Sequence, residues 1–304
     1  LWRLGFDVLV AEPWYRLYFN DKLWENFEKA FDQWIKTIQH YRVDLIIAGN
    51  ATAIIRRPDG GPMLHQEAGV PVVHYWWDDP RAQPPMYQRG ATPSEYLDAL
   101  RNESTLNVIW DIDILEEMRR FFAVDNSMHA PLGTTPEFWP ARPAPLAQRG
   151  TPACFLGNCL AVAPDWRERV NQDLLARAER ATNTKLADLD RPMIGCIDAA
   201  DAAYFTAGES DQSIEAAARQ WDVTNHVLRM RRRYPIVQAL HRRLGDQLAV
   251  YGKGWQRFGI RAIKDHTGFP QAAQIYADSK LSLNLFGGCV HAGMPLRPYE
   301  IACS

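Results

Sequence analysis

The feature that most constrains this chain is the alternation, in its first part, of short apolar runs with amphipathic segments. Strands that cross to helices and return build a mostly parallel sheet. The runs are Val8–Val10, Leu45–Ala48, Val72–Tyr75 and Val108–Trp110. Between the first two, Leu23, Trp24, Phe27, Ala30, Phe31, Trp34, Ile35 and Ile38 recur at three- and four-residue steps, the mark of one buried helix face. A shorter helix is expected over 113–122, with Ile114, Leu115, Met118 and Phe121 inward. Pro131, Pro136, Pro140, Pro143, Pro145 and Pro152 then interrupt any regular element, and a domain boundary is expected there. It separates an N-terminal domain, 1–140, from a C-terminal domain, 151–304.

The second part opens with a strand at Ala153–Leu156, a turn at Gly157-Asn158 and a helix from Asp165 onward. Residues 171–245 are mostly helical in texture, followed by a strand at Leu248–Tyr251, a helix over 271–279 and a strand over 281–286. The 304 residues suit two domains at roughly 100–200 residues each. Both ends read as cut: a helix end with its Gly5 stop signal opens the chain, and Pro298 starts a helix with no room to run.

Composition excludes several classes. A hydrophobic fraction of 47% with 23% charged residues is that of a packed globular protein. The net charge of −2 and pI near 6.5 offer nucleic acid no attracting field. Five cysteines without a CxxC pair fit neither a disulfide framework nor a zinc site, and read as reduced thiols in a cytoplasm. The most apolar stretch, Val43 to Ile55, carries Asp44 and Asn50 and is too short for a transmembrane segment; no basic-then-apolar leader opens the chain.

Ligands of open parallel sheets bind beyond the carboxyl ends of the strands. At one such end Gly287-Gly288 lead to a helix start carrying Arg297 and Glu300. Free N–H groups at a helix N-terminus and a guanidinium make a diphosphate cradle without a metal, and Glu300 could accept hydrogen bonds from both ribose hydroxyls. An ordinary strand-to-helix connection with Arg297 in a surface ion pair carries the same residues. At Gly157-Asn158 the glycine permits close approach of a ligand, or serves a plain tight turn. Gly252-Lys253-Gly254 would let the ammonium swing toward a phosphate, against the alternative of a tight turn with a solvated lysine. In the first part, His74 precedes Trp76-Trp77-Asp78-Asp79-Pro80. Indole faces suit sugar C–H faces, and His74, Asp78 or Asp79 could act as general base; a buried aromatic pair with an acid capping a turn is the alternative. Adjacent carboxylates invite a metal, but no third ligand is evident and none is assigned. Arg231-Arg232-Arg233 with Arg242-Arg243 could meet an anionic acceptor or lipid surface but read as a solvated helix face, and His129 reads as a linker residue.

Taken in order, Tyr251-Gly252-Lys253-Gly254-Trp255, Gly268, Tyr276-Ala277-Asp278-Ser279-Lys280-Leu281-Ser282-Leu283-Asn284 and Arg297-Pro298-Tyr299-Glu300-Ile301-Ala302-Cys303 resemble the motifs of the CgeB-like branch of the glycosyl transferase group 1 families. Phe155-Leu156-Gly157-Asn158 is similar to that family's opening strand of the nucleotide domain, and Trp77-Asp78-Asp79-Pro80 to a motif of its first domain. The resemblance implies a GT-B glycosyltransferase: α/β, with two Rossmann-like domains facing each other across a cleft. The second would hold a nucleotide-sugar donor as substrate, with no separate cofactor. The first would hold a glycan, protein or small-molecule acceptor. Glu300 then matches the acid on the donor ribose, Arg297 the basic group beside the diphosphate, and 263–269 would lie near the base. Related families often carry a second acid eight residues before Glu300; here that position is Ala292, which leaves His291 as the candidate contact. Two other functions stay open: a sugar-nucleotide epimerase on the same scaffold, and a catalytically silent sugar-nucleotide or glycan-binding protein.

Overall fold

The computed structural model describes residues 5–9, 27–50, 53–57, 60–77, 79–82, 92–134, 144–159, 170–197, 211–264, 269–285 and 294–304. It is a mixed α/β structure with two parallel sheets. No helix among the described residues is long and apolar enough to cross a membrane.

The N-terminal sheet has the order β1-β2-β3-β4, from β1 (Ile46–Gly49), β2 (Val72–Trp76), β3 (Thr105–Ile109) and β4 (Ser127–His129), all parallel. Helix α1 (Phe27–His40) precedes β1, with Phe31 and Ile35 buried at the four-residue spacing of one face. Short α2 (Leu64–Ala68) joins β1 to β2, and α3 (Pro93–Arg101) joins β2 to β3. Thr92 and Glu95 form a reciprocal capping box at the start of α3, so its orphan N–H groups have partners. Helix α4 (Ile112–Phe122) begins at Asp111, whose carboxylate accepts from the N–H groups of Asp113 and Ile114. It buries Ile114, Leu115, Met118 and Phe122; the side chain of Phe121 lies outside the described residues.

Two expectations shift here. Val8 and Leu9 are exposed and form no ladder, so the first apolar run is not a strand as far as it is described, and Val10 lies outside the described residues. Strand β4 falls where a linker was expected. His129 pairs with Ile109 in its ladder and contacts the Trp110 carbonyl oxygen through Nε2 at 3.1 Å.

The C-terminal sheet has the order β6-β5-β7, from β5 (Thr151–Leu156), β6 (Leu248–Tyr251) and β7 (Ser279–Leu283), again all parallel. Helices α5 (Gln172–Ala187) and α6 (Asp211–Leu244) lie between β5 and β6, α7 (Phe269–Asp278) between β6 and β7, and α8 (Leu296–Cys303) after β7. At 34 residues α6 is about 50 Å long, enough to reach both sheets. Its Trp221 and Leu228, with Ala181 of α5 and Met193 and Cys196 beyond it, join the core formed by Trp76, Leu100, Ile109 and Met118. Its Tyr234 and Val237 pack instead on Phe155 and Val250 of the second sheet. The first core is thus closed by residues that follow the proline-rich segment. The chain boundary and the packing boundary differ because one helix spans both.

Candidate functional site

The chain leaves β5 for β6 on one side, then crosses back to β7 on the other. Right-handed crossovers running in opposite directions put their helices on opposite faces. Accordingly, α6 covers the face of Phe155 and Val250, and α7 covers the face of Cys154 and Leu156. The carboxyl ends of β5 and β7 therefore form a topological switch point, the place where open parallel sheets bind their ligands.

The backbone N–H of Gly157 at that point donates to the Tyr251 carbonyl at 2.9 Å, and the Phe155 ring would lie 3.0 Å from a Cβ on it. Gly157 follows β5, and a Cβ built there would lie 3.5 Å from Nη1 of Arg297. Arg297, near the start of α8, thus stands over the end of β5. Glu300 follows three residues later, 7% exposed, with its carboxyl pushed up by burial and drawn back by Arg297. Tyr276 of α7 completes this corner; burial raises its phenol to about 12, with Arg297 opposing and Glu300 adding to the shift. Gly157 and the pair Arg297 and Glu300 are separate candidates in the sequence; in the structure Arg297 lies beside Gly157, with Glu300 next to Arg297.

The neighbouring loop has another task. Gly252 has φ 125°, and a Cβ there would lie 2.4 Å from the Gly157 carbonyl oxygen. Gly254 has φ 87°, and its Cβ would meet the Cys159 carbonyl oxygen at 2.3 Å. Asn158 accepts from the Lys253 N–H at 3.0 Å, and the Trp255 indole donates to the Gly157 carbonyl at 2.7 Å. Both glycines and Asn158 therefore lock the β5 and β6 loops together, rather than clearing room for a ligand. The Lys253 side chain stays exposed.

A third basic group arrives from α6. Nη2 of Arg233 donates to the Leu285 carbonyl at 3.2 Å, two residues beyond β7. Since Phe155 pairs with Leu283, Leu285 stands level with Gly157 across the switch point. Burial first, then the charges of Arg229 and Arg297, lower the Arg233 guanidinium to about 10. Arg233 was read from sequence as part of a solvated run. Arg231 and Arg242 are indeed exposed, but the fourth-residue spacing of Arg229 and Arg233 aims these two inward.

Comparison with family models, with curated proteins and with solved structures gives no significant match. The site rests on its own geometry.

On the N-terminal side the aromatic pair splits. Trp76 is fully buried, whereas Trp77 is 50% exposed and packs on the bare backbone of Gly49, where a Cβ would fall 1.9 Å from the indole. Alternation along β2 puts His74 on the face of Val72 and Trp76. His74 is 0% exposed, bonded through Nδ1 to the Asn50 carbonyl at 2.9 Å, and held neutral by burial at about 4. A side chain so enclosed does not reach an acceptor hydroxyl. Asp79 is also buried: it forms a two-point ion pair with Arg81 and accepts from the Trp221 indole. Its carboxylate is committed to packing α6, which removes the reason for reading it as a base. Asp78 and His291 lie outside the described residues. Tyr75, at the end of β2, has its phenol raised by burial and then by Tyr299, so α8 stands close to this end of the N-terminal sheet.

Among the described residues no group of three or more His, Cys, Asp or Glu is placed to hold a metal ion.

Proposed function

We propose that this chain is part of a glycosyltransferase of the two-domain GT-B kind that moves a sugar from a nucleotide-sugar donor to an acceptor, using arginine charge rather than a metal. The observation that carries the reading is Arg297 over Gly157 at the β5/β7 switch point, with Glu300 three residues on along α8. A diphosphate needs a fixed positive group; a ribose diol needs an acceptor-only group. Both requirements are met within one corner, and the motif order shared with CgeB-like glycosyl transferases adds support. As the glycosidic bond breaks, charge develops on the leaving diphosphate. A preorganised guanidinium there would stabilise the transition state more than the ground state. Half-exposed Trp77 on the facing side is suited to an acceptor sugar.

The test is binding of uridine, guanosine, thymidine and cytidine diphosphates to the intact protein, read by thermal shift and calorimetry. One of the four is expected to raise the melting temperature, since a ligand of the native state stabilises by mass action. No shift with any of them, at concentrations up to millimolar, would remove the reading.

A further inference from the structure

A further basic group reaches the same strand ends from the helix that spans both sheets, with a second one turn before it. Arg229 and Arg233 sit one turn apart on α6, and the Nε of each is buried with no hydrogen-bond acceptor among the described residues. Arg233 is tied to the Leu285 carbonyl at the end of β7, while Arg297 lies over the end of β5. Arg233 and Arg297 therefore approach adjacent strand ends from two helices, with Arg229 one turn back along α6 and near enough for its charge to act on Arg233. The acids nearby are few. Glu300 lies beside Arg297, and Asp222, two turns before Arg229 on α6, has its carboxyl pushed up by burial and drawn back by His226 and Arg229. No described carboxylate forms an ion pair with Arg229, Arg233 or Arg297. Buried guanidinium nitrogens without an acceptor are costly, and like charges held close together repel. An anion with several oxygens would supply the missing acceptors and offset that cost together.

We propose that Arg229 and Arg233 are donor-binding residues that hold the pyrophosphate of the nucleotide sugar opposite Arg297. The proposal rests on the nucleotide-sugar reading above and extends it to α6, outside the candidate donor residues read from the sequence. Its consequence is structural as well as chemical. The clamp is completed by α6, the element that also packs on the N-terminal sheet, so pyrophosphate would be held by the part of the chain that joins the two sheets.

Calorimetry on the intact protein, with inorganic pyrophosphate and the four nucleoside diphosphates as probes, tests it in wild type, R229Q, R233Q, R233K and R242Q. Each glutamine variant at 229 or 233 is expected to weaken pyrophosphate and the preferred nucleoside diphosphate by tenfold or more. R233K should lose less than R233Q, and R242Q, which removes an exposed charge from the same helix, should change neither. Thermal melts identify any variant that has lost its fold, and R233K supplies the comparison if R233Q is such a case. Unchanged nucleoside diphosphate affinity in folded R229Q and R233Q would overturn this proposal and leave the function standing. A loss in R242Q equal to that in R233Q would also overturn it, since diffuse charge would then suffice. Wild type that binds pyrophosphate but no nucleoside diphosphate would instead overturn the sugar-nucleotide reading and leave an anion clamp.

Discussion

Trp221 donates its indole N–H to a carboxylate oxygen of Asp79 at 2.9 Å, joining residues 142 positions apart. The same Asp79 holds Arg81 at two points, and the Arg81 guanidinium lies 3.8 Å over the Trp221 ring. Glu117 of α4 pairs with the remaining Arg81 nitrogen. This buried network fastens α6 to the loop after β2. Removing one member of a buried ion pair leaves its partner uncompensated, at a cost of about 3–5 kcal/mol. Asp79→Ala is therefore expected to lower unfolding stability by an amount of that order in urea. Trp221→Phe, which keeps a ring and loses one N–H, should cost less, about 1–3 kcal/mol. Wild-type stability with abolished turnover in Asp79→Ala would restore Asp79 as a base.

His74 predicts an acid limb. The unfolded imidazole titrates near 6.5, and burial holds the folded one near 4, so between these values the unfolded chain binds the extra proton. Stability is therefore full above pH 6.5 and is lost as the pH falls toward 4, by about 3 kcal/mol for this group at roughly 1.4 kcal/mol per pH unit. His65, also buried and shifted in the same direction, adds to the trend. Urea midpoints measured from pH 7 to 4.5 should fall more steeply in wild type than in His74→Gln. Parallel curves would show that His74 is not the group concerned.

Elements whose signal is local could be read from the residues alone. Alternation placed β2, and the three- and four-residue recurrence of Phe27, Phe31, Trp34 and Ile38 placed α1. Arg297 and Glu300 were legible because a glycine loop before a helix start is a short-range pattern. Packing over distance was not legible. Nothing near Asp79 in sequence announces Trp221, so a carboxylate beside two tryptophans reads as a site when it is a buried tie. Arg229 and Arg233 were hidden in the opposite sense. Their neighbours Arg231 and Arg232 make a charge run, and only the course of α6 past the end of β7 shows which members turn inward. The glycines at 252 and 254 are needed for positive φ and close approach, as their type suggested, but what approaches is the β5 loop.

That contact gives a third prediction. Gly252→Ala puts a Cβ 2.4 Å from the Gly157 carbonyl oxygen at φ 125°, where backbone rather than a flexible side chain would have to move. Overpacking and a forbidden φ together should cost at least about 2 kcal/mol. Gly245→Ala is the comparison: φ is 54°, a left-handed conformation, and its Cβ would meet open space, so about 1–2 kcal/mol is expected. Equal losses in the two variants would show that loop contact at Gly252 contributes nothing beyond backbone strain.

The last prediction concerns how Arg297 and Glu300 would divide the proposed nucleotide-sugar donor. Glu300 must be ionised to accept from a ribose diol, and burial works against that while Arg297 works for it. Binding of the preferred nucleoside diphosphate should therefore weaken as the pH falls through the raised carboxyl value, and Arg297→Ala should move that midpoint upward. Arg297→Ala is also expected to lower turnover by roughly 100- to 1000-fold, the usual loss for one preorganised donor to a developing anion. Glu300→Gln should instead act mainly on affinity, and on the ribose alone. Wild type should prefer the ribose over the 2′-deoxyribose form by about tenfold, the worth of a charge-assisted hydrogen bond of about 1.5 kcal/mol, and Glu300→Gln should erase most of that preference. If both proteins discriminate equally, the ribose is held elsewhere, and Glu300 serves only to balance the charge of Arg297.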